Sequence, residues 1–364
     1  QNPLYHFWKV FRMQIRGFIE GLYNSKPKKN ASGFENSNIT HYIYAPKEDS
    51  YIRQKWRLKD KSLEARGIPK NIAQVYTLSP GADFNRKSKK DFNFLLSKFN
   101  FAIDKGFSEV GLLFDDIDIN NIGIESDDKD LGKFHGELIS EVTTKLGLSN
   151  GWFCPSIYCE SFSKKGIQND KYLEGVSETI NNDLFFLWTG PKVISDFISQ
   201  DHLKELGQVI NNPVVIWDNF YANDYCPTRL FLGDITGRDF FRGNPYGHVI
   251  NGTGLVNTDE FLISKVFDKK KKINLPSELL PLFDSPFKNI NKSEINKMIR
   301  NSKDIKKTVF ETTDDNLFLE WKPYLVQALN DIELIKNFKS KQTIETYLHR
   351  RYSPLVSQLS LIHI

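Results

Sequence analysis

The chain has 364 residues, 40% hydrophobic and 26% charged, with 28 Phe and 14 Tyr, which is ample apolar material for a buried core. A net charge of +4, with Lys and Arg interleaved among Asp and Glu, gives no reason to expect nucleic acid as a partner. Three cysteines without a Cys-x-x-Cys pair are too few for a disulfide framework, seven scattered His form no metal-ligand pattern, and no apolar run of about 18 residues is present to span a membrane.

Residues 1–13 read as the stub of an upstream segment, since the chain opens at Gln1 without a signal-peptide pattern. From residue 14 onward, short runs rich in Ile, Val, Leu, Phe and Tyr alternate with amphipathic stretches. The strands predicted from these runs cover 14–20, 42–45, 73–78, 110–114, 152–157, 184–188, 214–217 and 249–256. Between them, i, i+3, i+4, i+7 spacing of apolar residues predicts helices over 89–104, 129–146 and 192–210. Residues 25–40, rich in Lys, Asn, Ser and Gly, have no apolar stripe, so the first strand–helix unit is expected to be irregular. Four lysines at 269–272 read as a solvated linker. Beyond them a Pro-punctuated stretch and amphipathic runs over 316–338 and 342–355 predict a helical region.

Eight strands alternating with helices over roughly 250 residues predict a (β/α)8 barrel. The expected organisation is a catalytic barrel over 14–272 and a helical C-terminal appendage over 273–364. The strand tips carry Gly21, Lys47, the pair Asp115-Asp116, Tyr158, Asn219 and Asn257. Active sites of such barrels form where these tips converge. An isolated Asp-Asp pair reads most simply as a solvated loop or a cation site. Placed after the buried run Gly111-Leu-Leu-Phe114, it is instead a pair of carboxyl groups whose environments can push their pKa values apart, as acid/base work on a glycosidic bond requires.

Read together, the tip motifs form a recognisable set. In order they are Gly17-Phe-Ile-Glu-Gly-Leu-Tyr23, Tyr44-Ala-Pro-Lys-Glu-Asp49, Leu78-Ser-Pro-Gly81, Leu112-Leu-Phe-Asp-Asp-Ile-Asp118, Phe153-Cys-Pro155 with Tyr158-Cys159, Leu187-Trp-Thr-Gly-Pro-Lys-Val193, and Val215-Ile-Trp-Asp-Asn219 with Ala222-Asn-Asp-Tyr225. This set resembles the family 84 glycoside hydrolases: the O-GlcNAcases and the bacterial β-N-acetylglucosaminidases often called hyaluronidases. The likeness runs over about residues 14–265.

The resemblance implies a retaining, substrate-assisted β-N-acetylglucosaminidase that needs no metal and no cofactor, with a GlcNAc-bearing glycoconjugate or oligosaccharide as substrate. Asp115 would orient the 2-acetamido group, Asp116 would be general acid and then base, and Tyr158 would hydrogen-bond in the catalytic centre. Gly21, Lys47, Asn219, Asp224 and Asn257 would hold the sugar, with Trp217 lining the N-acetyl pocket. Gly21-Leu-Tyr-Asn24 followed by Ser-Lys-Pro departs from the family's Gly-Phe-Tyr-Gly and Arg-Pro-Trp, and Gly254-Leu-Val-Asn-Thr258 departs from its Asn-Pro pattern. A catalytically weakened or inactive N-acetylglucosamine-binding barrel is therefore the alternative. A metal-dependent phosphate-ester hydrolase is disfavoured by the lack of His ligands. The Lys/Asn-rich composition and the hyaluronidase-like motifs point to a bacterial secreted or surface protein. The natural substrate is left open among glycoprotein, oligosaccharide and matrix polysaccharide.

The chemistry suits these residue types. A 2-acetamido sugar carries its own nucleophile, the acetamido oxygen, so the protein needs an acceptor to hold the amide N–H and a proton shuttle for the glycosidic oxygen.

Overall fold

The computed structural model describes residues 14–21, 34, 37–63, 68–81, 83–115, 128–240, 244–268, 275, 277–288, 290, 292–311 and 316–352. Eight parallel strands close into one barrel in sequence order: β1 Ile15–Glu20, β2 His41–Tyr44, β3 Ala73–Leu78, β4 Glu109–Leu113, β5 Trp152–Cys154, β6 Phe185–Trp188, β7 Val214–Asp218 and β8 Gly247–Asn251. Pairing of β1 with β8, Ile15 opposite Gly247 and Ile19 opposite Asn251, shuts the ring. The predicted (β/α)8 barrel is borne out.

Period-two alternation along each strand separates two apolar layers. Ile15, Ile19, Ile43, Val75, Leu113, Trp152, Leu187, Val215, Trp217 and Val249 fill the lumen. Phe18, Tyr42, Tyr76, Leu112, Phe114, Phe153, Phe186, Ile216 and Ile250 face outward into the layer shared with the helices.

Helix α1, Lys89–Asp104, spans the range its periodicity predicts, because Ser88 caps it through the Asp91 N–H while Leu95, Phe99 and Ala102 bury one stripe. Helix α2, Asp128–Leu146, and α3, Lys171–Thr179, approach backbone to backbone. A Cβ at Gly132 would lie 2.0 Å from the Tyr172 carbonyl oxygen, and one at Gly175 would lie 2.1 Å from that of Lys129, so only glycine fits at either place.

Three expectations are corrected. The helix predicted over 192–210 is only α4, Gln200–Leu206. Ahead of it the Ser195 hydroxyl accepts from Lys192 N and donates back to Thr189 O, a local bonding pattern that competes with helix after Gly190-Pro191. Strand β5 stops at Cys154 rather than 157, where Pro155 removes a ladder donor. Strand β8 ends at Asn251 rather than 256, because Asp259 captures the Thr253 and Gly254 N–H groups in a turn.

Residues 25–40 fall largely outside the described residues, as do 1–13 and 269–272. Between β2 and β3 the described residues form turns instead of a helix. Trp56 is buried there with its indole N–H on Asp83, and Lys98 reaches across from α1 to the carbonyls of Tyr51 and Leu58. After β8 come α5 Val256–Ile263, α6 Leu280–Phe283, α7 Lys292–Arg300, α8 Ser302–Glu311, α9 Asn316–Lys336 and α10 Lys341–Tyr352. The Glu320 carboxylate of α9 accepts from Asn257 N and Thr258 N at the start of α5, and the Tyr324 hydroxyl accepts from Asn223 Nδ2 in the loop after β7. Among the described residues no helix is long and apolar enough to cross a membrane.

Candidate active site

Following the inward-facing positions up each strand, the apolar lumen gives way to polar residues at one level. On β1 the row Ile15, Ile19 leads to Gly21; on β2 Ile43, Ala45 leads to Lys47; on β4 Leu113 leads to Asp115; on β7 Val215, Trp217 leads to Asn219; on β8 Val249 leads to Asn251. Four strands thus deliver a polar side chain, and β1 the backbone of Gly21, to the C-terminal mouth, just above the last apolar layer.

Direct contacts knit this ring. Lys47 N donates to Gly21 O at 3.0 Å. A Cβ at Gly21 would come within 2.6 Å of Asn251 Oδ1, so the absent side chain is what lets β8's tip close against β1. Asn251 Nδ2 donates to Asn219 Oδ1 at 3.0 Å, and Trp217 Nε1 donates to the same oxygen at 2.9 Å. Asn219 Nδ2 then donates to Val193 O at 2.9 Å, in the loop after β6. Both ends of the Asn219 amide are committed, which fixes its orientation. Asn251 Oδ1 is buried and receives no hydrogen bond from the described residues, an acceptor placed at the mouth.

On β4, Phe114 N donates to Cys154 O at 2.9 Å, carrying the ladder with β5 past the strand's last residue. Phe114 turns outward and Asp115, 8% exposed, follows the inward row. Asp116 lies outside the described residues. Tyr158 sits in the lumen cluster with Trp217; the Phe162 ring meets it edge-on at 5.0 Å, and its carbonyl accepts from Thr189 N at 2.9 Å.

Asp224 is exposed in the loop after β7, its Oδ1 accepting from Tyr225 N. Asn257 is elsewhere. It occupies the first turn of α5, and its side-chain amide donates to Glu320 Oε1 at 2.8 Å. The residue at the β8 tip is Asn251, which the sequence reading missed. The Asn-Gly step ending the run His248-Val-Ile-Asn251 was the available signal.

Behind the ring, Asp218 points away from the lumen between Trp217 and Asn219. Arg238 grips it with two bonds, Nε to Oδ2 at 2.8 Å and Nη2 to Oδ1 at 2.7 Å, and His248 of β8 adds a third at 2.9 Å. Burial raises the carboxyl pKa, but the guanidinium and imidazole outweigh it and hold Asp218 well below the ordinary carboxylate range. Asp259, which bonds the turn after Asn251, is the opposite case: burial pushes its pKa up to about 7 despite the Thr253 donors. Among the described residues no cluster of His, Cys, Asp and Glu could hold a metal ion.

A polar ring over aromatic and aliphatic walls suits a small ligand with both hydroxyls and a C–H face, the profile of a sugar. The fold is a (β/α)8 barrel, and this ring at its C-terminal mouth is the candidate active centre. The β-N-acetylglucosaminidase family model matches residues 16–243, and the chain belongs to that family, and with it to the glycoside hydrolases. The resemblance read from the tip motifs is thus borne out. The protein O-GlcNAcases of Rattus norvegicus and Mus musculus are each 32% identical over 244 residues, covering 62% of this chain and 26% of the relative. The chain therefore spans about a quarter of the length of these curated relatives. Among solved structures, an Asp-to-Asn mutant of the Thermobaculum terrenum O-GlcNAc hydrolase superposes with a TM-score of 0.67 at 18% identity, covering 93% of this chain and 88% of that one, a likeness of fold.

Proposed function

We propose that this chain is a retaining exo-β-N-acetylglucosaminidase that releases terminal β-linked GlcNAc, including GlcNAc carried on protein hydroxyls, by neighbouring-group participation. The observation that carries this reading is the inward row on β4 leading to a buried Asp115 at the level of the Gly21–Asn251–Asn219–Trp217 ring. The relatives' name, O-GlcNAcase, supports the substrate class.

In this mechanism Asp115 accepts the acetamido N–H, and the acetamido oxygen attacks the anomeric carbon as the glycosidic C–O bond breaks. Asp116 gives its proton to the departing oxygen, leaving an oxazoline still protonated on nitrogen, its N–H held by the Asp115 carboxylate. Asp116 then takes a proton from water; the water oxygen bonds to the anomeric carbon from the vacated side, the oxazoline opens, and the acetamide is restored with net retention. Tyr158 donates within the catalytic centre. The Gly21 backbone, Lys47, Asn219 and Asp224 take sugar hydroxyls, Trp217 walls the N-acetyl pocket, and Asn251 takes the β8 position first read as Asn257. Amides committed to one orientation reject an epimer by leaving their own groups unpaired.

Release of the aryl group from a 4-nitrophenyl β-N-acetylglucosaminide, unaffected by chelator, is the expected result, with the β-anomer of GlcNAc appearing first by NMR. Binding without turnover would establish the inactive-barrel alternative, and α-anomer first would overturn the double displacement.

A further inference from the structure

We infer that His135, which lies outside the mouth on α2, is a positioning residue that locks the tips of β4 and β5 to each other and so sets Asp115 against Tyr158. This deepens the reading above and rests on it.

Two contacts carry the inference. The His135 imidazole lies flat on the Phe114 ring, 3.7 Å between centroids and 13° between planes, and Phe114 is the residue before Asp115. On its other side His135 Nδ1 is 2.9 Å from the Tyr172 hydroxyl of α3, which itself accepts from the backbone N–H of Ser156 at 3.0 Å. Ser156 opens the loop that delivers Tyr158 two residues later. One imidazole therefore touches the β4 tip by stacking and the β5 tip through a single hydroxyl.

The Ser156 N–H donates to the Tyr172 oxygen and leaves the hydroxyl proton available to His135 Nδ1, which accepts it in the tautomer that carries the ring proton on Nε2. Burial and the nearby Arg86 guanidinium, from the loop ahead of α1, hold the imidazole pKa well below its ordinary value, consistent with a neutral acceptor. The geometry is also stiff. Gly132 and Gly136 on α2, with Gly175 on α3, bring the two helices into backbone contact on either side of His135, so the His135–Tyr172 distance is set by the helix pair rather than by a mobile side chain. A shift of about 1 Å between catalytic groups costs up to ~100-fold in rate, which makes such a brace consequential.

The experiment measures kcat and KM on a 4-nitrophenyl β-N-acetylglucosaminide for the wild type, His135→Phe, Tyr172→Phe and the double variant, each corrected for its folded fraction by thermal unfolding. His135→Phe keeps a flat ring on Phe114 and removes the acceptor; Tyr172→Phe removes one hydroxyl and decides the matter alone if the His variant does not fold. We expect each single change to lower kcat roughly 10-fold or more with KM held within about twofold, and the double variant to be no slower than the slower single, because both break one linkage. Folded variants with wild-type kcat, losses confined to KM, or single losses that multiply in the double would each overturn the inference. A wild type without turnover would overturn the functional reading and this inference with it, whereas an active wild type with unaffected variants overturns the inference alone.

Discussion

Gly21 and Asn251 illustrate how single atoms set the mouth of this barrel. The missing Cβ at Gly21 leaves room for Asn251 Oδ1, which would otherwise be met at 2.6 Å. Gly21→Ala is therefore expected to displace Asn251 and, through its bond to Asn219, the wall carrying Trp217. The predicted outcome is a fall in kcat/KM of roughly 10-fold or more with a near-normal unfolding midpoint; kinetics matching wild type would remove Asn251 from the binding wall. Asn251→Ala and Asn257→Ala should separate cleanly. The first impairs substrate binding, read as raised KM. The second breaks only the Asn257–Glu320 bond and costs about 1 kcal/mol of stability, read by denaturant unfolding. For the carboxylates, Asp116→Asn should harm substrates with poor leaving groups far more than activated aryl glycosides, since the latter need little protonation. Asp115→Asn should harm both alike, and equal losses for Asp116→Asn across leaving groups would reject its role as acid.

At the scale of elements, the turn after β8 ties stability to pH. Asp259 has a folded-state pKa of about 7, raised from 3.8. A raised carboxyl pKa means the folded chain keeps a proton that the unfolded chain releases. Its stabilisation is fully present below about pH 4 and lost as pH rises to about 7, by at most ~4 kcal/mol. Denaturant midpoints from pH 4 to 8 should show this decline, and Asp259→Asn should flatten it; an unchanged slope in the variant would assign the decline to another group. The same turn explains a limit of sequence reading. The run Val249–Val256 holds Val, Ile and Thr, yet the strand stops at Asn251, where the Asn251-Gly252 step is met by a carboxylate eight residues further along the chain that binds the turn's N–H groups. The Asn-Gly step is local to the run, but the Asp259 contact is not. By contrast α1 was legible to the residue, since its Ser88 cap and its apolar stripe are both written in adjacent positions. The segment 192–199 misled through its Val193, Ile194, Phe197 and Ile198, whose helical spacing yields to Gly190-Pro191 and the Ser195 hydroxyl. His135 and Tyr172, 37 residues apart, meet only through the packing of α2 on α3.

For the molecule as a whole, the helices after residue 272 are bound into the barrel at the loops that build the mouth. Arg229, buried in the loop after β7, donates to Leu282 O and Ser285 O, while Glu320 caps α5 and Tyr324 bonds Asn223 beside Asp224. A chain cut after residue 272 would remove the Leu282 and Ser285 carbonyls to which Arg229 donates and uncover the apolar surface behind it. We expect that shortened chain to lose the cooperative transition of the intact one by calorimetry; an unaltered transition would make the helical region a true appendage. On the proposed mechanism, which unites these scales, the mouth would present a sugar's acetamido group to Asp115, so that the substrate performs the displacement on itself. Comparing turnover of 4-nitrophenyl glucosaminides bearing N-acetyl and N-trifluoroacetyl groups probes that chemistry. The rate should fall by roughly 10-fold or more with the less nucleophilic amide, each factor of ten being about 1.4 kcal/mol of barrier. Equal rates for the two substrates would contradict it.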